Sequence, residues 1–296
     1  MPADASQPVF IIGGSRTGST MLQVILSKGP DLSVTDELQY RSPWWLHRDF
    51  LQDVKTHVGP LDSEGALDRL VDLVYSGIPV GWFWSASKEL LNRDVLCEEL
   101  SNRVLSPQSI LDAVLRAHAR SSGKTRIGAK FPMHYSYTDK LLEWYPNCLL
   151  IHTTRNPKAV YASQANKYLK PIKSRTARNY MRLKQFAHIN IQTSLTARLH
   201  DKLCDLPNYK LLRYEDLVTE PETQIRQLCD FVGMDFQQNM LKPRQFGSSF
   251  GDIGHENKGI EQSSIDRWRT SISKPTAKIM DLMHPRAFRA FGYSHE

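Results

Sequence analysis

Two periods of hydrophobic and polar residues alternate along this chain, and the switches between them predict its order of elements. Val9-Phe10-Ile11-Ile12 is a continuous apolar run closed by Gly13-Gly14, the form of a strand buried on both faces, and helical spacing follows from Gly18 to Lys28. Gly29-Pro30-Asp31 stops that helix before a short strand over 32–35. From about 42 to 122 the pattern is helical, as in Leu67-Leu70-Val71-Val74 and Ile110-Leu111-Val114-Leu115. Breaks fall at Gly59-Pro60, Ile78-Pro79 and Ser106-Pro107. This part is read as a helical insertion between strands.

A strand over 125–130, ended by Phe131-Pro132, is followed by a helix over 134–145, a strand over 148–153, and a helix from Pro157 to about Tyr168. Lys170-Pro171 interrupts before a long helix from roughly Ser174 to Leu203, and the last strand is placed at 209–213. The remainder is helical, with a polar loop over 247–259, no internal repeat and no second-domain linker. The 296 residues are read as one α/β domain of three layers, a P-loop-like fold with a mostly parallel sheet flanked by helices. Ligands of such sheets lie beyond the carboxyl ends of the strands, where Arg16, Glu37, Lys130 and Arg155 are all expected.

The first strand, its glycine-rich turn and the helix after it aim several backbone N–H groups at one point, which suits an anion. Written as a P-loop, the turn reads Gly13-x-x-x-x-Gly18-Ser19-Thr20, with serine in the place of the lysine that reaches the β- and γ-phosphates of a nucleoside triphosphate. A cation stands inside the turn instead, at Arg16, where a guanidinium forks onto two oxygens of a phosphate or sulfate. The missing lysine argues against a P-loop kinase; an inactive anion-binding module of the same fold is the other competing reading.

The net charge of +7 is modest, but residues 144–200 contain no aspartate or glutamate. The same window holds Arg155, Lys158, Lys167, Lys170, Lys173, Arg175, Arg178, Arg182, Lys184 and Arg198, a one-signed field that suggests an anionic partner. Nucleic acid explains it poorly, since no recognised binding motif accompanies the few aromatics. Cys97, Cys148, Cys204 and Cys229 are far apart and read as buried free thiols, giving neither a zinc site nor a disulfide framework. No stretch approaches about 18 apolar residues, and the first strand leaves no room for a secretory leader, so a soluble cytoplasmic protein is expected. Trp44, Trp45, Trp82 and Trp84 stand near turn residues, as core packing or as the wall of an acceptor cleft.

Taken together, three blocks resemble the sulfotransferases that use 3′-phosphoadenosine 5′-phosphosulfate (PAPS). Gly13 to Thr20 is similar to their 5′-phosphosulfate loop, with Ser15 for the usual proline and Thr17 for the usual serine. Leu149 to Ser163 resembles their 3′-phosphate motif, with Asn156 where aspartate is usual, and Leu211 to Pro221 resembles their Tyr-Glu-Asp-Leu segment. The resemblance implies that Arg16, Thr17, Gly18, Ser19 and Thr20 hold the 5′-phosphosulfate and that Arg155 and Ser163 hold the 3′-phosphate. Glu37, 21 residues after Arg16, stands at the separation of the catalytic glutamate in tyrosylprotein sulfotransferases, which implies a general base, with Asp36 beside it as a structural or substrate contact. Lys130, 25 residues before Arg155, is similar to the strand-end lysine that steadies the breaking bond together with Arg16.

Gln262 to Arg269 resembles a segment that closes over the nucleotide in bacterial relatives, which points to Ser264 as a nucleotide contact. Lys258-Gly259 is similar to the Arg-Lys-Gly phosphate contact without its arginine. PAPS is then the cosubstrate, the adenosine 3′,5′-bisphosphate PAP the product, and no metal is expected, since no Walker-B carboxylate is recognisable. A glutamate base in place of a histidine resembles the glycan and tyrosylprotein members, which implies a small-molecule, glycan or peptide acceptor, anionic ones included, with a hydroxyl on a saccharide or a tyrosine.

Overall fold

The computed structural model describes residues 7–35, 50–75, 91–132, 134–135, 137–243, 260 and 262–293. Five strands, β1 (Val9–Gly13), β2 (Leu32–Thr35), β3 (Arg126–Pro132), β4 (Leu149–Thr154) and β5 (Tyr209–Arg213), form one all-parallel sheet in the order β2-β3-β1-β4-β5. The helices described are α1 (Ser19–Leu26), α2 (Phe50–His57), α3 (Ala66–Tyr75), α4 (Arg93–Ser101), α5 (Pro107–Ser121), α6 (Thr138–Trp144), α7 (Pro157–Leu169) and α8 (Arg175–Leu203). They continue with α9 (Tyr214–Thr219), α10 (Pro221–Val232), α11 (Trp268–Ser271), α12 (Lys274–Met283) and α13 (Pro285–Ala290).

The apolar run of β1 divides between two cores because successive strand residues face opposite sides. Phe10 and Ile12 join Phe131, Leu150 and the apolar stripes of α3, α4 and α5. Val9 and Ile11 join Leu22 and Ile25 of α1 and Ile225 and Leu228 of α10 on the other face. β1 is covered on both sides and is apolar at both parities, which is why the alternation expected of a half-exposed strand is absent there. The expected helical region between β2 and β3 contains α2 to α5 among the described residues, and Ser106 starts α5 with a capping box ahead of Pro107.

The structure departs from the sequence reading at the end of β3, at two cysteines and at Lys158. β3 does not end before Phe131-Pro132 but runs through both, so Lys130 lies inside the strand. Among the described residues the pairing with β2 reaches Ala129, and Pro132 stands opposite Gly13 of β1. Cys204 is exposed at the C-terminal end of α8 and Cys97 half-buried, leaving Cys148 and Cys229 as the buried thiols.

Lys158 does not belong to the surface field. Its side chain is 0% exposed, its Nζ lies 2.9 Å from Asp281, which is 8% exposed, and the rings of Trp268 and Phe288 stand 4.6 and 5.3 Å from it. One ion pair therefore fastens α11, α12 and α13 to α7. Among the described residues no helix is long and apolar enough to cross a membrane.

Removing one partner of a buried pair strands the other charge, so Asp281→Ala is expected to lose about 3 to 5 kcal/mol of stability, read by urea unfolding. Lys158→Met with Asp281→Leu should recover most of it. An equal loss in the single and double variants would assign the cost to packing instead.

Candidate functional site

The chain leaves β1 across β3 towards β2, and leaves β4 in the other direction towards β5. The crevice between the ends of β1 and β4 is thus the switch point of the sheet, and two loops meet over it. Gly13 has φ 129°, and a Cβ there would stand 2.3 Å from the Thr153 carbonyl of β4. Gly18 has φ 88°, and a Cβ there would stand 2.6 Å from the ring of Tyr214. Both glycines let the loop lie flat on its neighbours. Gly18 also starts α1 with no side-chain cap and no acidic residue in the first turn, so the first-turn N–H groups are left to the loop.

Between the two glycines Arg16 has φ 66°, the one positive value at a non-glycine residue among those described. Such a conformation costs about 1 to 3 kcal/mol and persists only where surroundings hold it. Gln192 of α8, 3% exposed, does much of the holding. Its Oε1 accepts from Ser15 N at 3.1 Å and Ser15 Oγ at 3.0 Å, and its Nε2 donates to Ser15 O at 3.3 Å. Thr17 Oγ1 donates to Gly14 O at 2.8 Å and meets Thr153 Oγ1 at 2.7 Å, which ties the loop to β4 as well.

The expected anion ligands come together on this frame. Arg16 Nε donates to Ser163 Oγ at 3.0 Å, joining the loop to α7. Arg155 Nη1 reaches Arg16 O at 3.5 Å, Nη2 donates to Ser264 O at 2.7 Å, and the guanidinium lies 4.2 Å from the centre of the Tyr214 ring. Tyr214 Oη also bonds Ser264 Oγ. Ser163 is thus brought to Arg16, while Ser264 is brought to Arg155, so the four form one cluster through the Arg16 backbone. Lys130, 3% exposed, extends from β3 to donate to Thr20 Oγ1 at 2.9 Å on the opposite side of the loop. Glu37, Asp36, Trp44, Trp45, Trp82, Trp84 and Lys258 lie outside the described residues. Thr35, two before Glu37, pairs with Ala129, one before Lys130.

Burial first, and the adjacent Arg155 charge second, draw the Arg16 guanidinium below its ordinary pKa. Burial does the same to Arg155, opposed by Tyr214, Glu215 and Tyr293. The Nε of Arg155 is buried without a hydrogen-bond partner. Two partly desolvated guanidiniums beside glycine-bent backbone N–H groups suit a doubly charged oxyanion, which offsets their repulsion and accepts from both. No group of three or more potential metal-ligating side chains occurs among the described residues.

Four contributors carried no assigned role in the sequence reading. Gln192 sits on a long helix at a position with no local signature, and Thr153 reads as one more strand residue. Tyr214 and Glu215 stand in the Tyr-Glu-Asp-Leu block, which marked them without saying what they touch. Glu215 accepts from Asn156 N at 2.9 Å and from Tyr293 Oη at 3.0 Å, fixing the turn that follows Arg155.

Fold and site define a P-loop-like α/β protein with a glycine-bent loop and two guanidiniums at its switch point. Residues 8–238 match the sulfotransferase family, and the chain belongs to it. It is 24% identical over 306 aligned positions to nodulation protein NoeE of Sinorhizobium fredii, covering 96% of this chain and 65% of NoeE. It is 30% identical over 154 positions to the omega-hydroxy-beta-dihydromenaquinone-9 sulfotransferase Stf3 of Mycobacterium bovis, covering 49% of this chain and 39% of Stf3. The chain thus spans less than two thirds of these relatives. Among solved structures, the sulfotransferase domain of the curacin biosynthetic pathway superposes with TM-score 0.59 at 18% identity, covering 100% of this chain and 99% of the domain. That of the Synechococcus PCC 7002 olefin synthase gives 0.55 at 21%, covering 97% and 95%.

Gln192→Leu leaves the Ser15 N–H without its acceptor, and the expected cost is about 1 to 3 kcal/mol in equilibrium unfolding. A loss below about 0.5 kcal/mol, the size common for substitutions that break no specific contact, would show that the loop holds its shape without the clamp.

Proposed function

We propose that the chain transfers a sulfuryl group from PAPS to an acceptor hydroxyl, with Glu37 as general base and no metal. The observation that carries this reading is the pairing of Arg16 and Arg155 over the loop, with Ser163 and Ser264 attached to them and Lys130 reaching in at Thr20. Such a set fits a ligand with an oxyanion at each end of a short polar body. Arg155, Ser163 and Ser264, with Lys258, would hold the 3′-phosphate. Arg16, Thr17, Gly18, Ser19 and Thr20 would hold the phosphosulfate.

PAPS, when bound, supplies the activated sulfuryl group. The side chains supply the rest: Glu37 removes the proton from the acceptor hydroxyl, and Lys130 with Arg16 balances charge that builds on the departing 5′-phosphate. The transferring group bears one negative charge, less than a terminal phosphate, so fixed cations take the part that magnesium takes in phosphoryl transfer. For the acceptor, the reading is a hydroxyl on a saccharide-containing or anionic molecule, or a tyrosine, drawn in by the exposed cations from Lys167 to Lys184. Stf3 and NoeE add no acceptor, since each is matched over only part of its length.

Thermal shift with 3′,5′-ADP against ATP and magnesium tests the donor. Stabilisation by 3′,5′-ADP alone is expected; the reverse result would favour a kinase. Arg155→Ala should weaken 3′,5′-ADP by about 1.5 to 3 kcal/mol, the worth of a charged hydrogen bond. Glu37→Gln should keep that affinity and lose about 10² to 10⁴ in transfer rate, and unchanged turnover would remove Glu37 from the chemistry.

Steering of the acceptor has its own measurement. The second-order rate for acceptor should fall as salt rises, and reversing Lys173 and Arg175 to glutamate should lower it while leaving 3′,5′-ADP affinity in place. Neutral phenols reacting best, with no salt dependence, would reject an anionic acceptor.

A further inference from the structure

Helix α7 keeps different company on its two faces. Ser163 turns to Arg16, whereas Ala162, Ala165 and Leu169 lie on the side turned away from it, where they floor a separate cleft of about 680 Å³. That volume falls within the range of about 300 to 1,000 Å³ usual for small-molecule sites.

The walls of the cleft carry charge of one sign. Lys170, Arg178 and Arg182 line one wall and Ser271, Ser273 and Thr276 the other, and no carboxylate is among the described lining residues. Arg178 is set in place by its Nε and Nη2, which donate to Ile172 O at 3.3 and 2.8 Å. Arg182 stands close enough to Tyr161, at the floor, to oppose the effect of burial on its hydroxyl. The second wall is also where the 10-residue helix α12 begins, so its amino-terminal end faces the same space.

We infer that this cleft is a second oxyanion site, for a sulfate or phosphate ester carried on a small polar molecule. Cations alone would mark a solvated surface. Here a preset guanidinium, two further cations and three hydroxyls surround a concave space with a partly apolar floor, which accommodates an ester's oxyanion and its uncharged body together. The site is distinct from the reacting end of the acceptor, because neither Lys130 nor Thr20 is among the residues that line the cleft. It stands independently of the donor assignment and shares helices α7 and α8, but no side chain, with the loop cluster.

The test is calorimetric titration of the protein saturated with 3′,5′-ADP, using N-acetylglucosamine 6-sulfate, N-acetylglucosamine 6-phosphate, and N-acetylglucosamine as the uncharged control. One equivalent of an ester should bind beside the nucleotide while the uncharged sugar does not, and the tighter ester identifies the anion. Arg182→Glu should weaken that binding about tenfold or more, the scale of a lost charged contact. Lys184→Glu, the same charge change on the same helix outside the lining, should alter it by no more than about twofold through screened long-range attraction. Absence of ester binding, or equal weakening by both substitutions, overturns the inference. Failure of 3′,5′-ADP itself to bind would count against the donor assignment alone, and the ester titration without nucleotide then tests the cleft.

Discussion

Gathering Arg16 and Arg155 at one point opposes folding, because burial lowers the pKa of each and the Arg155 charge lowers that of Arg16 further. Among the described residues, dipoles and a ring answer this cost. Ser163 Oγ, the carbonyls of Ser264 and Arg16, and the face of Tyr214 all present negative potential to the guanidiniums. Glu215, the acid nearest in the electrostatic balance of Arg155, is engaged by Asn156 N and Tyr293 Oη.

The frame around that pair explains which features could be read from sequence. The succession of strands and helices and the layered parallel sheet follow from apolar runs and glycine punctuation, since parallel strands buried on both faces leave a strong signal in Val9 to Ile12 and Leu149 to Ile151. Arg16, Arg155, Ser163 and Ser264 were visible through motif spacing. Their partners were not: Gln192 is 177 residues from Ser15, and nothing local distinguishes a buried amide from an exposed one on a helix. The end of β3 was misread for a related reason. Phe131 and Pro132 stay in register with Ile12 and Gly13 of β1, and a proline ends a strand only where a neighbouring strand needs the N–H it lacks.

Lys158 shows the same limit for charge. A run without acids predicts a one-signed surface only if each cation stays at the surface, and the compensating Asp281 lies 123 positions later in the chain. The pair gives α7 a second attachment besides Ser163. On one side the helix meets the loop through Arg16; on the other it is fastened to α12, with Trp268 of α11 and Phe288 of α13 over the same ammonium. The 3₁₀ turn that carries Ser264 ends four residues before Trp268, so the placement of Ser264 against Arg155 depends on this anchorage at short range.

The departure at Ser15 from the proline common in this family then has a structural counterpart. A proline in the loop restricts the backbone covalently, lowering the entropy of the unfolded chain. Serine lacks that restriction and adds an N–H and a hydroxyl, and both donate to Gln192 Oε1. The loop is therefore held by tertiary bonds to α8 rather than by its own covalent stiffness, and the left-handed conformation of Arg16 depends on a residue far along the chain. Since α8 packs on α7, the helix that carries Ser163, the two contacts that fix Arg16 come from one helix pair. A change in how those helices pack would move both ends of the arginine together, which ties the geometry of the anion site to the packing of the helical layer rather than to the sheet alone.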